Sequence, residues 1–466
     1  MDEGVGGAGG TKEGGGTVGG YGKQAQDEGG AMPSEKIVLL GGGSLFFRTV
    51  LTELAVTDEL SGSEVVLYDV PRSSDRLSVM ERFGKRVCTG LKVRATTELA
   101  DALDGAGFAV SSIGVSGPDR RWHELDVRIP MKYGIIQTTG DTVGPGGMMA
   151  GFRTIPIFLE IAHEMEKRCP DVVFLNHSNP MAVLCRTLTK YTGIQNVVGL
   201  CHGVQGTQRY LSEKLGVPYE ELDMVAVGVN HMLWVVRLTH RGRDLYPLLR
   251  ERLEDEEPPG HRFAKHLFRV FGYYPVNNDR HIIEFFPYLR AARTPEELPY
   301  ELRPKAEAIE EWRRRGAGRE EWEELRRMAD GDEPITLPEE LSPEAVGKLI
   351  ADISLGRREV YIVNVPNRGC VPNLPDHAIV EVQGVTDDRG IRGIYAGEVP
   401  RVVLGWMYAR TVWTELVVDA GVKGDKSLAL QALAQDPQII SLYEAESLLD
   451  ELLKAHMDQL PQFFPK

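Results

Sequence analysis

Three polar clusters in this sequence carry groups that bind metals and move protons. They read Asn-His-Ser-Asn-Pro at 176–180, Cys-His-Gly at 201–203 and Asn-His at 230–231, and each follows a short apolar run. A thiolate and a neutral imidazole are good ligands for a borderline divalent ion. A lone cysteine or histidine is more often a buried core residue, but three clusters after successive strands favour one shared site at a sheet edge.

A fourth polar run reads Gly-Tyr-Tyr-Pro-Val-Asn-Asn-Asp-Arg-His-Ile-Ile-Glu at 272–284 and has no clean periodicity. It carries acid, base and phenol groups, which are the groups that transfer protons in enzymes. A plain surface loop explains the same composition, so both interpretations stay open from the residues alone.

A glycine turn opens the part of the chain that is expected to fold. Gly41, Gly42, Gly43 and Ser44 directly follow the first apolar run. Glycines at such a turn let the backbone approach a pyrophosphate, and the helix that follows supplies N–H donors at its N-terminus. Phe46 stands where a third glycine is usual, so a tight structural turn is the alternative.

A carboxylate ends the second predicted strand, because Asp69 lies 28 residues after Gly41. At that place in a dinucleotide-binding fold a carboxylate binds the ribose diol and disfavours a 2′-phosphate. The turn and Asp69 together predict NAD in preference to NADP.

The elements that must position these groups alternate between strand and helix up to about residue 215. A helical pattern with a kink at Pro156 spans 149–167. Buried parallel strands are predicted at 36–40, 64–69, 108–114, 172–176 and 197–200. This alternation predicts a Rossmann-like, doubly wound parallel sheet.

Beyond residue 215 the pattern indicates a second, α+β domain, in an architecture similar to that of lactate and malate dehydrogenases. Residues 291–345 are predicted to form a charged helical excursion, and a last helix is predicted over 444–456. Further strands are predicted at 224–229, 233–238, 361–365 and 378–382. The predicted parts are a disordered Gly-rich tail at 1–34, an NAD-binding domain at 35–215, and a domain for substrate, metal and oligomerisation at 216–466.

Charge and cysteine content exclude several classes of protein. A net charge of −15 argues against nucleic-acid and anionic-membrane partners, because phosphate groups reward a positive face. Five scattered cysteines do not fit a disulfide framework and favour a reducing compartment. With no apolar signal core and no run long enough to span a membrane, the protein is expected to be cytoplasmic.

Five motifs in this order resemble those of glycoside hydrolase family four. They are Thr-Gly-Asp-Thr-Val-Gly-Pro-Gly-Gly at 139–147, Asn-Pro at 179–180, Cys-His-Gly-Val at 201–204, Gly-Val-Asn-His at 228–231 and Asn-Val-Pro-Asn-Arg-Gly at 364–369. The resemblance covers residues 36 to about 450. The N-terminal tail and the charged excursion lie outside it.

The resemblance implies an NAD-dependent glycosidase, an exception among enzymes that usually work with two carboxylates. In that family NAD⁺ removes hydride from sugar C3, the C2 proton is then taken by a base, and the C1 substituent is eliminated. Water adds and the hydride returns, so the cofactor is recycled. A divalent metal, typically Mn²⁺, polarises the C2 and C3 oxygens as a Lewis acid.

The resemblance also implies roles for individual residues. Cys201 and His231 are the expected metal ligands, and His202 is the candidate acid that protonates the leaving oxygen. Asn179 resembles the family residue that holds the sugar hydroxyls. Asp141 resembles the carboxylate that lies near both nicotinamide and substrate.

The C2 base is expected in the 272–284 run. Some members of the family use a tyrosine where this chain has Asn-Asp-Arg-His, so Asp279 is the preferred candidate and Tyr274 the alternative.

The resemblance also bears on the substrate. Phosphosugar members carry an acidic or amide residue after the metal cysteine, and His202 in that position indicates an unphosphorylated α-glycoside. The Cys-His-Gly-Val tetrad resembles the α-galacturonidases, and a uronate needs a cation such as Arg280 or Arg368 for its carboxylate. An α-galacturonide is therefore expected, with α-glucuronidase or α-galactosidase activity as alternatives.

Two other classes share part of this pattern. An NAD-dependent 2-hydroxy-acid dehydrogenase would need no metal cysteine and would release NADH, and a non-enzymatic NAD-sensing protein would show no metal-dependent turnover. By analogy with the family, the partners are expected to be a small glycoside and further copies of the chain, in a homodimer or homotetramer.

Overall fold

Runs of Val, Ile and Leu form the central strands of this fold, as their continuous apolar patterns predict. The computed structural model describes residues 34–116, 120–292 and 294–465. The predicted disorder of the Gly-rich tail falls on residues 1–33, outside this part of the chain. The described residues from 34 onward belong to one compact unit.

Twelve strands lie in the part of the chain that the structure describes, and we number them β1 to β12. They are Lys36–Leu40, Glu64–Tyr68, Lys92–Thr96, Phe108–Ser111, Val173–Asn176, Asn196–Gly199, Leu222–Val229, Met232–His240, Arg243–Asp244, Val360–Pro366, Ile379–Asp387 and Gly390–Gly393. Every strand predicted from an apolar run is present, with ends shifted by a few residues.

Sixteen α-helices lie among the described residues, and we number them α1 to α16. They are Phe46–Ala55, Ser74–Val87, Leu99–Leu103, Arg121–Met131, Gly144–Arg168, Met181–Tyr191, Gly203–Leu215, Tyr246–Leu253, Arg262–Phe271, Asp279–Ile282, Lys305–Arg314, Arg319–Asp330, Val346–Ser354, Arg401–Lys423, Lys426–Gln435 and Leu442–Ala455. Short 3-10 helices lie at Asp58–Leu60, Pro71–Ser73, Tyr219–Glu221, Ile283–Phe285, Pro287–Ala291, Pro295–Glu297 and Met457–Gln459.

Six of the strands form the predicted doubly wound sheet, in the order β3-β2-β1-β4-β5-β6, and all their pairings are parallel. Each strand after the first is reached through a helical crossover, as parallel pairing requires. The predicted Rossmann-like α/β fold is confirmed. The carboxyl ends of β1, β4, β5 and β6 therefore meet at one edge of the sheet.

Three later strands extend the same sheet beyond β6. β10 pairs antiparallel with β6, β11 with β10, and β12 with β11. The chain after residue 215 thus contributes to the first sheet as well as forming elements of its own, and the domain boundary at 215 stays a prediction. The sequence indicated β10 and β11 as strands but not their partner, because pairing is a long-range property.

A second sheet of three antiparallel strands, β7-β8-β9, is separate from the first. β7 and β8 form a hairpin whose turn residues are Asn230 and His231. The charged excursion contains α11 and α12, in agreement with the predicted helical segment. None of the helices in the described ranges has the length and apolar character that a membrane crossing needs.

Candidate functional site

The glycine turn lies at the carboxyl end of β1, where the sheet edge is open. Gly41 has a φ of +87°, and a Cβ placed on it would lie 2.6 Å from the carbonyl oxygen of Ser112. The backbone N–H of Gly43 donates to the Asp69 carboxylate at 2.9 Å, so the candidate ribose-binding group is next to the turn. α1 begins three residues after Gly43. This close-packed turn with a helix N-terminus behind it fits a dinucleotide pyrophosphate.

A cavity of about 220 Å³ opens beside this turn. Its wall includes Ser44 of the turn together with Asp141 and Asn179, the two residues expected at the substrate. His177 also lines it, and burial lowers the pKa of that imidazole to about 4, so the ring is neutral. The structure thus brings the predicted cofactor turn and two predicted substrate residues to one cavity.

The candidate metal pair comes from two different sheets. Cys201 follows β6 at the edge of the large sheet, whereas His231 lies in the β7–β8 turn with a φ of +64°. The expectation that all three polar clusters end strands of one sheet is therefore wrong for the third cluster. A left-handed backbone at a residue other than glycine is strained by about 1–3 kcal/mol, and such strain is concentrated at functional sites.

The groups around Cys201 and His231 fit a divalent ion. The Thr142 hydroxyl lies 3.3 Å from Nδ1 of His231, which leaves Nε2 for a ligand, and burial lowers the pKa of this imidazole to about 4. Burial raises the pKa of the Cys201 thiol, while the amide of Asn230 and the backbone of Gly203 act in the opposite direction. Asn230 therefore connects the two residues, because its side chain hydrogen-bonds the Cys201 thiol and its backbone continues into His231.

No group of three or more His, Cys, Asp and Glu side chains converges as a metal cage in the described ranges. A pair of protein ligands leaves coordination positions for substrate oxygens, and open positions are what catalytic metal sites have.

The candidate acid His202 has a carboxylate partner that the sequence did not indicate. Its Nδ1 lies 2.9 Å from Oε1 of Glu344, which comes from the segment just before α13. This hydrogen bond raises the pKa of His202, so the ring holds its proton more firmly. The imidazole side chain is 73% exposed, whereas that of Glu344 is only 12% exposed.

Cations gather around Asp141 in a chain of strongly negative net charge. Burial lowers the pKa of the Lys305 ammonium group; the charge of Asp141 opposes this, and the charges of Arg280 and Arg120 lower the pKa further. The positive charge of Arg280 also lowers the pKa of His202 and of His231, so its guanidinium lies near both rings.

Neither Lys305 nor Arg280 has a carboxylate in ion-pair contact among the residues that the structure describes. Lys305 is half-buried, and a half-buried cation without an anionic partner is costly, whereas Arg280 is exposed and keeps its hydration.

The structure does not bring the two candidate bases to this site. Both carboxylate oxygens of Asp279 accept backbone N–H groups, from Phe263 and Ala264 at 2.9 Å each, and so cap the start of α9. The Tyr274 hydroxyl lies 3.2 Å from Nδ1 of His261, and its ring is fully buried. The geometry therefore argues against the expectation of either residue as the C2 base.

Arg368 also lies away from the site. It lines a separate cavity of about 350 Å³ together with Gln195 and Asn196, at the start of β6. Because β10 runs antiparallel to β6, the loop after β10 reaches the edge opposite to Cys201. Of the two arginines expected to bind a substrate carboxylate, only Arg280 is on the side of the candidate metal pair.

Sequence reasoning missed several residues that shape the site, namely Glu284, Lys305, Glu344 and Glu381. One signal was available, because Glu381 is a charged residue inside the apolar run of β11 and is 1% exposed. Lys305 begins α11 and Glu344 lies in a loop, both without any pattern, and Glu284 ends the polar run 272–284, whose composition did not single it out. Their partners come from more than a hundred residues away, so local spacing carries no information about them.

A dinucleotide-type turn on the first strand of a doubly wound sheet places this chain among the NAD-binding α/β enzymes. The chain belongs to family 4 of the glycosyl hydrolases. The model of the family 4 glycosyl hydrolase matches residues 36–217, and that of the family 4 glycosyl hydrolase C-terminal domain matches residues 226–439. The resemblance inferred from the motifs is confirmed, and with it the class of NAD- and metal-dependent glycoside hydrolase. The expectation that the charged excursion at 291–345 lies outside the resemblance is wrong, because the C-terminal model spans these residues.

Relatives with assigned activities are similar over nearly the whole chain. An α-galacturonidase of Bacillus subtilis is 34% identical over 91% of this chain and 97% of its own length. An α-galactosidase of the same organism is 33% identical over 92% of this chain and its full length. The crystal structure of the protein lplD from Bacillus subtilis superposes with a TM-score of 0.80 at 32% identity, over 90% of this chain and all of that one.

A more distant structure shows the same fold. A 6-phospho-α-glucosidase from gut microorganisms, solved in complex with NAD and Mn²⁺, has a TM-score of 0.78 at 22% identity and covers 92% of this chain and 100% of that chain.

Proposed function

We propose that this enzyme hydrolyses an α-glycoside of a uronic acid, and that the glycone is α-galacturonate. The observation that carries the proposal is a pair of cations, Lys305 beside Asp141 and Arg280 near Lys305, for which the described part of the chain supplies no carboxylate in ion-pair contact. A substrate carboxylate would neutralise them, and the planar guanidinium of Arg280 suits bidentate binding. The α-galacturonidase relative at 34% identity supports the same glycone.

NAD and a divalent metal such as Mn²⁺ are the proposed cofactors. The chemistry that they supply is reversible hydride removal at C3 and polarisation of the C2 and C3 oxygens, which together acidify the C2 proton and allow elimination at C1. Gly41, Gly42 and Gly43 would hold the pyrophosphate, and Asp69 the ribose diol. Cys201 and His231 would hold the metal.

The chain's own residues then bind and orient the sugar. Asn179 and Asp141, which line one cavity with the glycine turn, would hold the sugar hydroxyls next to the nicotinamide. His202 would give a proton to the leaving oxygen from Nε2, because Nδ1 faces the Glu344 carboxylate. The C2 base is left to a group other than Asp279 and Tyr274, whose oxygens are bonded elsewhere.

A pair of matched substrates tests the glycone. In the presence of NAD⁺, Mn²⁺ and a thiol reductant, we expect p-nitrophenyl α-galacturonide to be cleaved with a kcat/KM at least about tenfold above that of the α-galactoside. The α-glucuronide tests the C4 epimer. A preference for the neutral galactoside would contradict the uronide proposal and support the α-galactosidase alternative.

Two arginine variants test how the carboxylate is bound. Arg280→Gln is expected to lower kcat/KM for the uronide about 10- to 100-fold, the cost of a charge-assisted hydrogen bond, with little change for the galactoside. Arg368→Gln is the matched control, because Arg368 lines the cavity at the opposite sheet edge. Equal losses in both variants would contradict this assignment.

The reaction class is tested in D₂O. Cleavage with deuterium at C2 of the sugar and no net NADH is expected from the family mechanism. Accumulating NADH would support the 2-hydroxy-acid dehydrogenase instead, and NAD binding without metal-dependent turnover would support a sensor.

The cytoplasmic compartment and a homodimer or homotetramer are proposed with this function. They rest on the scattered cysteines and on analogy with the family. Light scattering that gives the mass of a single chain would contradict the assembly.

A further inference from the structure

A buried polar cluster lies behind the candidate metal pair. It consists of Glu381 on β11, Asn364 on β10 and Asn230 in the β7–β8 turn, which are 1%, 0% and 3% exposed. The Asn230 amide donates to Oε2 of Glu381 at 2.9 Å. A carboxyl group and two amides at such depth cost free energy unless hydrogen bonds or a charged partner compensate, because each gives up its hydration.

The sheet register places this cluster next to Cys201. Asn364 pairs with Glu381 on one side and with Gly199, two residues before Cys201, on the other. Directly opposite residues of an antiparallel pair face the same side of a sheet, so Asn364 and Glu381 share a face. A Cβ on Gly199 would lie 2.9 Å from the Cβ of Asn364, so that face is close-packed up to the end of β6.

Contacts run from the cluster to both candidate ligands. The Asn230 amide hydrogen-bonds the Cys201 thiol and lowers its pKa, whereas the carboxyl group of Glu381 nearby raises it. The backbone N–H of His231 donates a hydrogen bond to the Glu381 carboxyl group. Glu381 is therefore linked to the cysteine through Asn230 and to the histidine through the turn that contains it.

Two buried oxygens of the cluster have no hydrogen-bond partner within the described residues, namely Oδ1 of Asn230 and Oδ1 of Asn364. The Asn364 side chain also hydrogen-bonds the Glu381 carboxyl group and lowers its pKa. Buried polar atoms are nearly always paired in folded proteins, so two unpaired amide oxygens in one place indicate a further polar or charged group at this site. The thiol and imidazole next to them suggest that this group is a metal ion with its ligands and water.

We propose that Glu381 is a positioning residue for the metal pair: it holds Cys201 and His231 in place through Asn230. The proposal rests on the metal site of the proposed function. Glu381 is not a third metal ligand, because no third acidic, cysteine or histidine group joins the pair among the described residues. Its influence on the ligands is therefore indirect. Partners of this kind fix the orientation of metal ligands and raise metal affinity.

Metal binding without substrate is the direct test. For the full chain with NAD⁺, the Kd for Mn²⁺ is measured from the electron paramagnetic resonance signal of free Mn²⁺. Glu381→Gln keeps the shape of the side chain but has one acceptor oxygen in place of two, so it holds the Asn230 amide less firmly, and we expect it to raise the Kd about 10- to 100-fold. The affinity for NAD⁺ is expected to stay within about twofold of the wild type.

Glu53→Gln is the matched control. Glu53 is also 1% exposed, but its carboxylate accepts from the backbone N–H groups of Ser342, just before α13, and of Val346, the first residue of α13. We expect this variant to lose stability and keep the wild-type Kd for Mn²⁺. An equal loss of Mn²⁺ affinity in Glu53→Gln would overturn the proposal, because it would show a general effect of destabilisation.

A double-mutant cycle tests the route through Asn230. Asn230→Ala is expected to weaken Mn²⁺ binding to a similar extent, and the double variant with Glu381→Gln no further than either single change. Bound Co²⁺ gives a second readout, since its thiolate charge-transfer band reports the bond to Cys201 and is expected to shift in Glu381→Gln. Additive losses in the cycle would overturn the proposed route.

A folded Glu381→Gln protein with wild-type Mn²⁺ affinity would overturn the positioning role. If the wild type itself bound no Mn²⁺, both this role and the proposed cofactor would fall. Failure to cleave a uronide with normal Mn²⁺ binding would overturn the glycone alone.

Discussion

Side chains of one type have different tasks in this molecule, and their hydrogen-bond partners separate them. Asp141 faces the cavity with cations around it, and Asp69 accepts from the glycine turn. The Asp279 carboxylate is used entirely by the first turn of α9. Residue type and position in a polar run made Asp279 a plausible base, whereas its two backbone donors make it a helix cap.

A capping role predicts what Asp279 variants do. Asp279→Ala should lower the free energy of unfolding by about 1–2 kcal/mol, because two N–H groups of α9 lose their acceptor, and Asp279→Asn should cost less. The Asn variant should still exchange the sugar C2 proton with D₂O. Denaturant unfolding and proton NMR of the sugar measure the two effects. A stable Asp279→Asn protein without C2 exchange would restore Asp279 as the base.

At the scale of elements, the Glu284 carboxylate joins the segment after α10 to the turn at residues 138–141. Glu284 is fully buried just after α10, and Oε1 accepts the backbone N–H groups of Thr138 and Thr139 at 2.5 and 2.6 Å. The N–H of Gly140 adds contacts at 3.1 and 3.2 Å to the two oxygens. Glu284 therefore fixes the turn that ends in Asp141, although the two are 143 residues apart in sequence.

The same carboxyl group predicts a pH effect on stability. Burial raises the pKa of Glu284 to about 7 from its ordinary 4.5; the charge of Asp141 raises it too, and the backbone N–H groups oppose this. The folded state then holds the proton more tightly than the unfolded state. This stabilising contribution is complete below about pH 4.5 and is lost as the pH rises through about 7.

Glu284→Gln should remove this slope while keeping an oxygen for the turn. From pH 4.5 to 8, the free energy of unfolding of the wild type should fall by about 1–3 kcal/mol relative to that of Glu284→Gln. Urea unfolding at several pH values measures the difference. Glu320→Gln, at an exposed site on α12, is the control and should run parallel to the wild type. Parallel curves for Glu284→Gln as well would contradict the shifted pKa.

At the scale of the whole molecule, the large sheet joins the cofactor turn to the candidate metal pair. β1 carries the turn, β6 precedes Cys201, and β10 and β11 bring the polar cluster behind it. The separate β7–β8 hairpin adds His231 from the other side. A ligand at the turn is therefore expected to stabilise the whole cooperative unit.

NAD⁺ should raise the global stability, and the geometry of Gly41 should be required for it. At a hundred times its Kd, a ligand that binds only the folded state adds about 2.7 kcal/mol. In Gly41→Ala the new methyl would meet the Ser112 carbonyl at 2.6 Å, so this gain should be largely lost. Unfolding with and without NAD⁺ measures it.

Gly62→Ala is the control for backbone strain. Gly62 has nearly the same φ, +88°, and a Cβ there meets nothing within 4 Å. This variant should be destabilised like any alanine with a positive φ and still gain the full NAD⁺ effect. A full NAD⁺ gain in Gly41→Ala would contradict binding at the turn.

The sequence by itself determined the strands and the local motifs of this protein. Apolar runs such as 36–40 and 172–176 predict buried strands because their side chains must leave water, and the glycine turn and Asp69 follow from their places after such strands. The strand Lys92–Thr96 was missed, since its run Lys-Val-Arg-Ala-Thr is half polar and partly exposed.

Only the tertiary structure decided which groups meet. The antiparallel direction of β10 removed Arg368 from the site, and the hairpin turn, whose Asn230 hydrogen-bonds the Cys201 thiol, brought His231 to this region from another sheet. Glu344 and Lys305 reached the site from segments with no periodic pattern. These outcomes depend on strand pairing and packing between residues far apart in the chain, which local propensity and spacing do not encode.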